Sequence, residues 1–71
     1  MSGVAVIGAG YWGQNLVRNM AQLARLTTVC DLSSAVRDRM SGLYPDVRVT
    51  DDLDSVLNDD DLSAVMIAVP A

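Results

Sequence analysis

The chain has no lysine and no histidine, its only cysteine is Cys30, and no apolar run approaches the ~20 residues needed to cross a bilayer. Each absence excludes something. Without lysine or histidine, the side chains that most often move protons near neutral pH are missing. One cysteine cannot close an internal disulfide. The basic residues are five arginines against nine aspartates, a formal net charge of −4, so there is no basic field for nucleic acid or for an anionic membrane surface. Met1-Ser2-Gly3 carries no positive charge and leads directly into a strand pattern, so no secretory signal is expected and a cytoplasmic location follows.

What is present is a 71-residue chain that is 51% hydrophobic, which excludes disorder and implies one folded domain at most. A core of this size supplies only a small margin of stability, roughly 3–5 kcal/mol. The distinctive segment is Gly8-Ala9-Gly10-Tyr11-Trp12-Gly13, which follows the apolar run Val4 to Ile7 and opens a helical pattern. An acid, Asp31, lies 23 positions beyond Gly8. In a strand-turn-helix unit the first glycine permits the tight turn, the second lets main chain approach a pyrophosphate, and the third lets helix and strand pack closely. Phosphates then rest on the unpaired N–H groups of the helix start, where the peptide dipoles favour an anion. A carboxylate after the second strand accepts hydrogen bonds from both adenosine ribose hydroxyls and repels a 2′-phosphate, so Asp31 points to NAD rather than NADP. The glycine pattern alone is also met in ordinary strand-to-helix turns; here strand, glycines, helix and acid agree.

The remainder alternates strands and helices. The first strand is Val4 to Ile7. A helix from about Tyr11 to Ala24 places Leu16, Val17, Met20, Leu23 and Ala24 on one face, with Gln14, Arg18, Gln22 and Arg25 on the other. A second strand, Thr27 to Cys30, precedes a helix capped by Ser33, reaching about Leu43 and stopped by Gly42, Tyr44 and Pro45. Val47 to Thr50 reads as a third strand. A brief helix near Asp54 to Leu57 follows, with Asp51 or Asp52 as its cap. Ala64 to Val69 is the fourth strand. This pattern predicts an α/β partial Rossmann fold, a parallel sheet of about four strands in order 3-2-1-4 with helices on both faces. The ligand crevice should lie where the order reverses, faced by Asp31 and the residues around Pro70. A complete domain of this type takes about twice this length, so residues 1–71 read as the N-terminal part of a dinucleotide-binding domain whose remainder, with any substrate domain, lies outside the chain.

The segments VAVIGAGYWGQNLVRN, VCD, YPDVRVTDDLDSVL and AVMIAVPA together resemble the amino-terminal part of the glucose-fructose oxidoreductase, inositol dehydrogenase and rhizopine-catabolism (Gfo/Idh/MocA) family. The GYWGxNLVRN variant is similar to members that act as dehydrogenases of nucleotide-linked or amino sugars. The resemblance implies a parent enzyme, an NAD(P)-dependent oxidoreductase moving a hydride between a sugar, sugar-nucleotide or polyol carbon and the nicotinamide, with that small molecule as its partner. It further implies that Gly8, Gly10 and Gly13 form the phosphate turn, that the Tyr11 and Trp12 main chain lies along the pyrophosphate, and that Asp31 holds the adenosine ribose. Ala68, Val69 and Pro70 match the loop beside the nicotinamide ribose, where members more often have Ala-Thr-Pro; Val69 removes a hydroxyl there. The family's Glu-Lys-Pro lysine and its later catalytic histidine have no counterpart in this chain. No catalytic residue is therefore assigned, and the chain alone is expected to be inactive.

Other features invite blander readings. Cys30 is expected in the core. Asp59-Asp60-Asp61 lacks the glycine and distal glutamate of a calcium loop and reads as a solvated helix ending, so no metal site is assigned. The Tyr11 and Trp12 rings can either line the nicotinamide pocket or pack on neighbouring loops. Arg37 is expected to pair with Asp38 or solvent rather than to reach the adenine. An unpaired edge on the fourth strand favours self-association, and a homo-oligomer is expected of the parent. Two other functions share the glycine turn and acid: a nucleotide-sensing regulatory module without catalysis, and an S-adenosylmethionine-dependent methyltransferase. The latter's ligand has no pyrophosphate, which leaves the close glycine spacing less well explained.

Overall fold

The computed structural model describes residues 3–10, 13–23 and 25–68. In chain order the elements are β1 (Gly3–Ile7), α1 (Gly13–Gln22), β2 (Leu26–Cys30), α2 (Ser34–Leu43), β3 (Arg48–Thr50), α3 (Leu53–Leu57) and β4 (Leu62–Ile67). All strand pairs are parallel and the spatial order is β3-β2-β1-β4, as the alternation predicts. Tyr11, Trp12, Ala24, Val69 and Pro70 lie outside the described residues.

Successive strand residues face opposite sides of a sheet, so each strand feeds two cores. Val6 and Val29 point to the side carrying α1 and α2 and are buried with Ala9, Val17 and Met40. Ala5 and Cys30 face the other side, against Val56 of α3. Helices thus cover both faces. The β1 residues Ala5 and Val6 are completely buried, as expected of a strand with a neighbour on each edge and a layer on each face.

Register sets the position of the site. Ile7 pairs with Cys30 on one side and with Ile67 on the other, and Cys30 pairs with Thr50. The carboxyl ends of all four strands are therefore level, and Gly8, Asp31, Asp51 and Ala68 leave the sheet along one edge.

The helix caps follow the sequence closely. The Ser33 hydroxyl accepts from the Val36 N–H, and the Asp52 carboxylate accepts from the Ser55 N–H, each supplying an acceptor that the first turn of its helix lacks. Three local expectations are corrected. Helix α1 ends at Gln22, so Leu23 lies beyond it and is 61% exposed rather than part of the apolar face. Gly42 lies inside α2, and the stop is made by Tyr44, whose N–H donates to the Met40 carbonyl. Strand β4 begins at Leu62 rather than at Ala64, and Ala64 itself is exposed, as is Ile67.

Candidate functional site

The turn between β1 and α1 is built around hydrogen atoms in place of side chains. Gly8 has φ +86°, a left-handed conformation that side chains rarely adopt, and a Cβ there would drive into the Ala68 carbonyl oxygen. At Gly13 a Cβ would collide with the Gly8 carbonyl. These two glycines are thus required by the protein's own packing: the first lets β1 turn beside the end of β4, the second lets α1 settle on the turn.

Gly10 differs, because a Cβ there meets nothing within 4 Å. No contact among the described residues demands a glycine at this position, whose carbonyl accepts the first α1 hydrogen bond from the Gln14 N–H at 3.0 Å. The bare main chain there borders open space at the mouth of the sheet. A diphosphate, which is wider than a methyl group and seeks N–H donors, fits this arrangement.

Main-chain bonds tie the turn to both neighbouring strands. The Gly8 N–H donates to the Cys30 carbonyl at 2.8 Å, and the Ala68 N–H to the Ile7 carbonyl at 2.9 Å. Ala68 therefore stands directly beside Gly8, where the strand order reverses.

Asp31 comes from the end of β2. One carboxylate oxygen, Oδ2, accepts the Ala9 N–H at 2.8 Å, and Oδ1 accepts the Ser33 N–H at 2.8 Å. Its own N–H donates to the Thr50 carbonyl at 3.0 Å. The acid is thus held by the glycine turn on one side and by the start of α2 on the other. Each oxygen has a second lone pair, so both can still accept from a hydroxyl. Asp31 is half-buried, and the adjoining Leu32 is 88% exposed.

Arg37 departs from the sequence expectation. Its Nη1 donates to the main-chain carbonyls of Asp31 at 3.0 Å and Leu32 at 2.9 Å, instead of pairing with Asp38. A flexible four-bond side chain gives no sequence signal for such a target.

Cys30 is buried, as read from the sequence. Desolvation pushes its thiol above the ordinary value, and the carboxylates of Asp31, Asp51 and Asp52 push it further, against a smaller lowering by Arg37. It is a packing residue facing Val56, unsuited to be a nucleophile. The Asp59 carboxylate is used within its own turn, accepting the Asp61 N–H at 2.9 Å. Among the described residues, no three His, Cys, Asp or Glu side chains converge to hold a metal, and no helix is long and apolar enough to cross a membrane.

Of the site residues read from the sequence, the fold brings together Gly8, Gly10, Gly13, Asp31 and Ala68. Tyr11, Trp12, Val69 and Pro70 fall outside the described residues.

The family model described as the oxidoreductase family with an NAD-binding Rossmann fold, Gfo/Idh/MocA, matches residues 2–71. The chain belongs to the Gfo/Idh/MocA family. As a Gfo/Idh/MocA Rossmann unit its cofactor is NAD. Its structure is similar to GenD2 from gentamicin A biosynthesis, solved in complex with NAD, with a TM-score of 0.84 and 33% identity over 99% of this chain. An NAD-binding protein from Listeria innocua shares the fold, with a TM-score of 0.81 and 21% identity over 97% of this chain. This Gfo/Idh/MocA segment spans 20% of each of those chains. No curated protein matches it.

Proposed function

We propose that this chain is the coenzyme-holding N-terminal part of an oxidoreductase that moves a hydride between a carbon of a sugar, sugar-nucleotide or polyol and NAD. The observation that carries this reading is the joining of the open Gly10 turn to the Asp31 carboxylate through the Ala9 N–H. Diphosphate and ribose recognition are thereby set at a fixed distance from each other. Support for a sugar substrate comes from the GYWGQNLVRN segment, and support for NAD over NADP from the carboxylate of Asp31 and from the NAD bound to GenD2.

In this reading NAD supplies the hydride-accepting nicotinamide carbon. The chain's own residues bind and orient. Gly8, Gly10 and Gly13, with the main chain of Tyr11 and Trp12, cradle the pyrophosphate. Asp31 accepts hydrogen bonds from the adenosine ribose hydroxyls and sets its negative charge against a 2′-phosphate. Ala68, Val69 and Pro70 border the nicotinamide-side ribose. The acid-base group for the substrate hydroxyl comes from sequence beyond these residues, since no lysine or histidine is present.

Calorimetric titration with NAD, NADP and S-adenosylmethionine tests the reading. NAD should bind most tightly, though weakly, and binding of S-adenosylmethionine alone would contradict it. The chain by itself should turn over no sugar; measurable sugar oxidation would show that the chemistry does not depend on a further domain.

A further inference from the structure

We infer that Arg37 is a positioning residue for the Asp31 carboxylate, holding through the main chain the group that grips the adenosine ribose. The inference rests on the coenzyme reading above. A single guanidinium nitrogen, Nη1, donates to two successive carbonyls, those of Asp31 at 3.0 Å and Leu32 at 2.9 Å. Two carbonyl oxygens converging on one point repel each other unless a donor lies between them, and a cation is the strongest such donor. Without it the turn relaxes by rotating one of the two peptides. The first belongs to Asp31 itself, so the carboxylate shifts with it and its bonds to Ala9 and Ser33 lengthen.

The location of Arg37 in α2 points the same way. It is the fourth residue of that helix, and the first turn contains no acid. A cation near a helix N-terminus opposes the peptide dipoles. Arg37 therefore gains nothing from the helix it belongs to, and its favourable contacts are those with the turn that precedes it. At the neighbouring Cys30, Arg37 also opposes the effect of Asp31, Asp51 and Asp52.

Two measurements test this on the 71-residue chain, comparing wild type with Arg37→Met after far-UV circular dichroism has confirmed folding. Where Arg37→Met does not fold, Arg37→Gln, which keeps a polar head but not the reach, is read in its place. The first measurement needs no ligand: amide exchange at Ala9, whose N–H is held by Asp31, should accelerate about tenfold when the clamp is removed. The second compares NAD with its analogue lacking the adenosine 2′-hydroxyl. Wild type should favour NAD by about tenfold or more, the worth of one charge-assisted hydrogen bond. In the variant this preference should fall to about threefold or less, while affinity for the deoxy analogue changes by less than about twofold.

A purely structural role would weaken both ligands equally and leave their ratio intact. An unchanged ratio, or unchanged protection at Ala9, overturns the role of Arg37. A wild-type chain that binds both ligands equally overturns instead the assignment of Asp31 to the ribose, and the Ala9 exchange still reports on the clamp.

Discussion

The Oδ2 of Asp31 accepts the main-chain N–H of Ala9 at 2.8 Å across 22 residues of sequence. Acid and glycine turn are therefore one mechanical unit. A carboxylate that only waited for a ribose would leave this amide to solvent, but Ala9 is completely buried, and its N–H needs an acceptor in the fold itself.

Asp31→Asn should therefore lower stability as well as change cofactor choice. An amide has one acceptor oxygen, so either the Ala9 or the Ser33 N–H would face an NH2 group. The cost should be about 1–2 kcal/mol, seen as a lower urea midpoint. NAD should bind more weakly and its advantage over NADP should shrink, because the charge that repels a 2′-phosphate is gone. An unchanged preference would mean that the carboxylate does not face the ribose.

The three glycines should separate into two classes. Gly8→Ala strains a left-handed residue and pushes a methyl into the Ala68 carbonyl, and Gly13→Ala pushes one into the Gly8 carbonyl. Each should cost about 2–4 kcal/mol, a large part of what so small a domain has. Gly10→Ala should leave the thermal midpoint nearly unchanged and abolish NAD binding. Thermal melts and NAD titrations on the three variants check this; a Gly10 variant that binds normally would remove the diphosphate from that position.

Removal of the caps should act locally. Ser33→Ala and Asp52→Ala each delete an acceptor at the start of a helix, of α2 and α3 respectively, and should each cost about 1 kcal/mol in urea unfolding. Because the Ser33 N–H also binds Asp31 through main chain, Ser33→Ala should leave cofactor preference intact.

Cys30 carries a pH signature. Its thiol is raised above the ordinary 9.0, first by desolvation and then by the carboxylates of Asp31, Asp51 and Asp52. The folded chain therefore holds that proton more tightly than the unfolded one. The resulting stabilisation is fully present below the unfolded value and is lost as pH rises through the folded one. Stability should fall on the alkaline side of about pH 9, less steeply in Cys30→Ala, and alkylation of the native thiol near neutral pH should be slow.

The fold was largely legible because its signals are local. Apolar runs mark β1 and β4, β-branched residues mark β2 and β3, Ser33 and Asp52 stand where helices need acceptors, and the parallel order follows from alternation alone. The purposes of Gly8 and Gly13 were also legible, since only glycine tolerates the contacts found there. Less visible were features decided by tertiary contacts. Sequence placed Asp31 at the mouth of the sheet but gave no sign that its oxygens already hold Ala9 and Ser33. It gave no target for Arg37, whose acceptors are main-chain carbonyls and carry no side-chain signature. Leu23 has the right periodicity for the apolar face, yet α1 ends one residue before it.

The most direct measurement is an NMR titration of the isotopically labelled chain with NAD, followed at its backbone amides. The largest shifts should fall on Gly8 to Gly13 and on Asp31 to Ser33, and should be much smaller at equal concentrations of NADP. Shifts confined to other surfaces, or a glycine turn that does not respond while Asp31 does, would contradict a single site in which bare amides hold the diphosphate and one carboxylate holds the ribose.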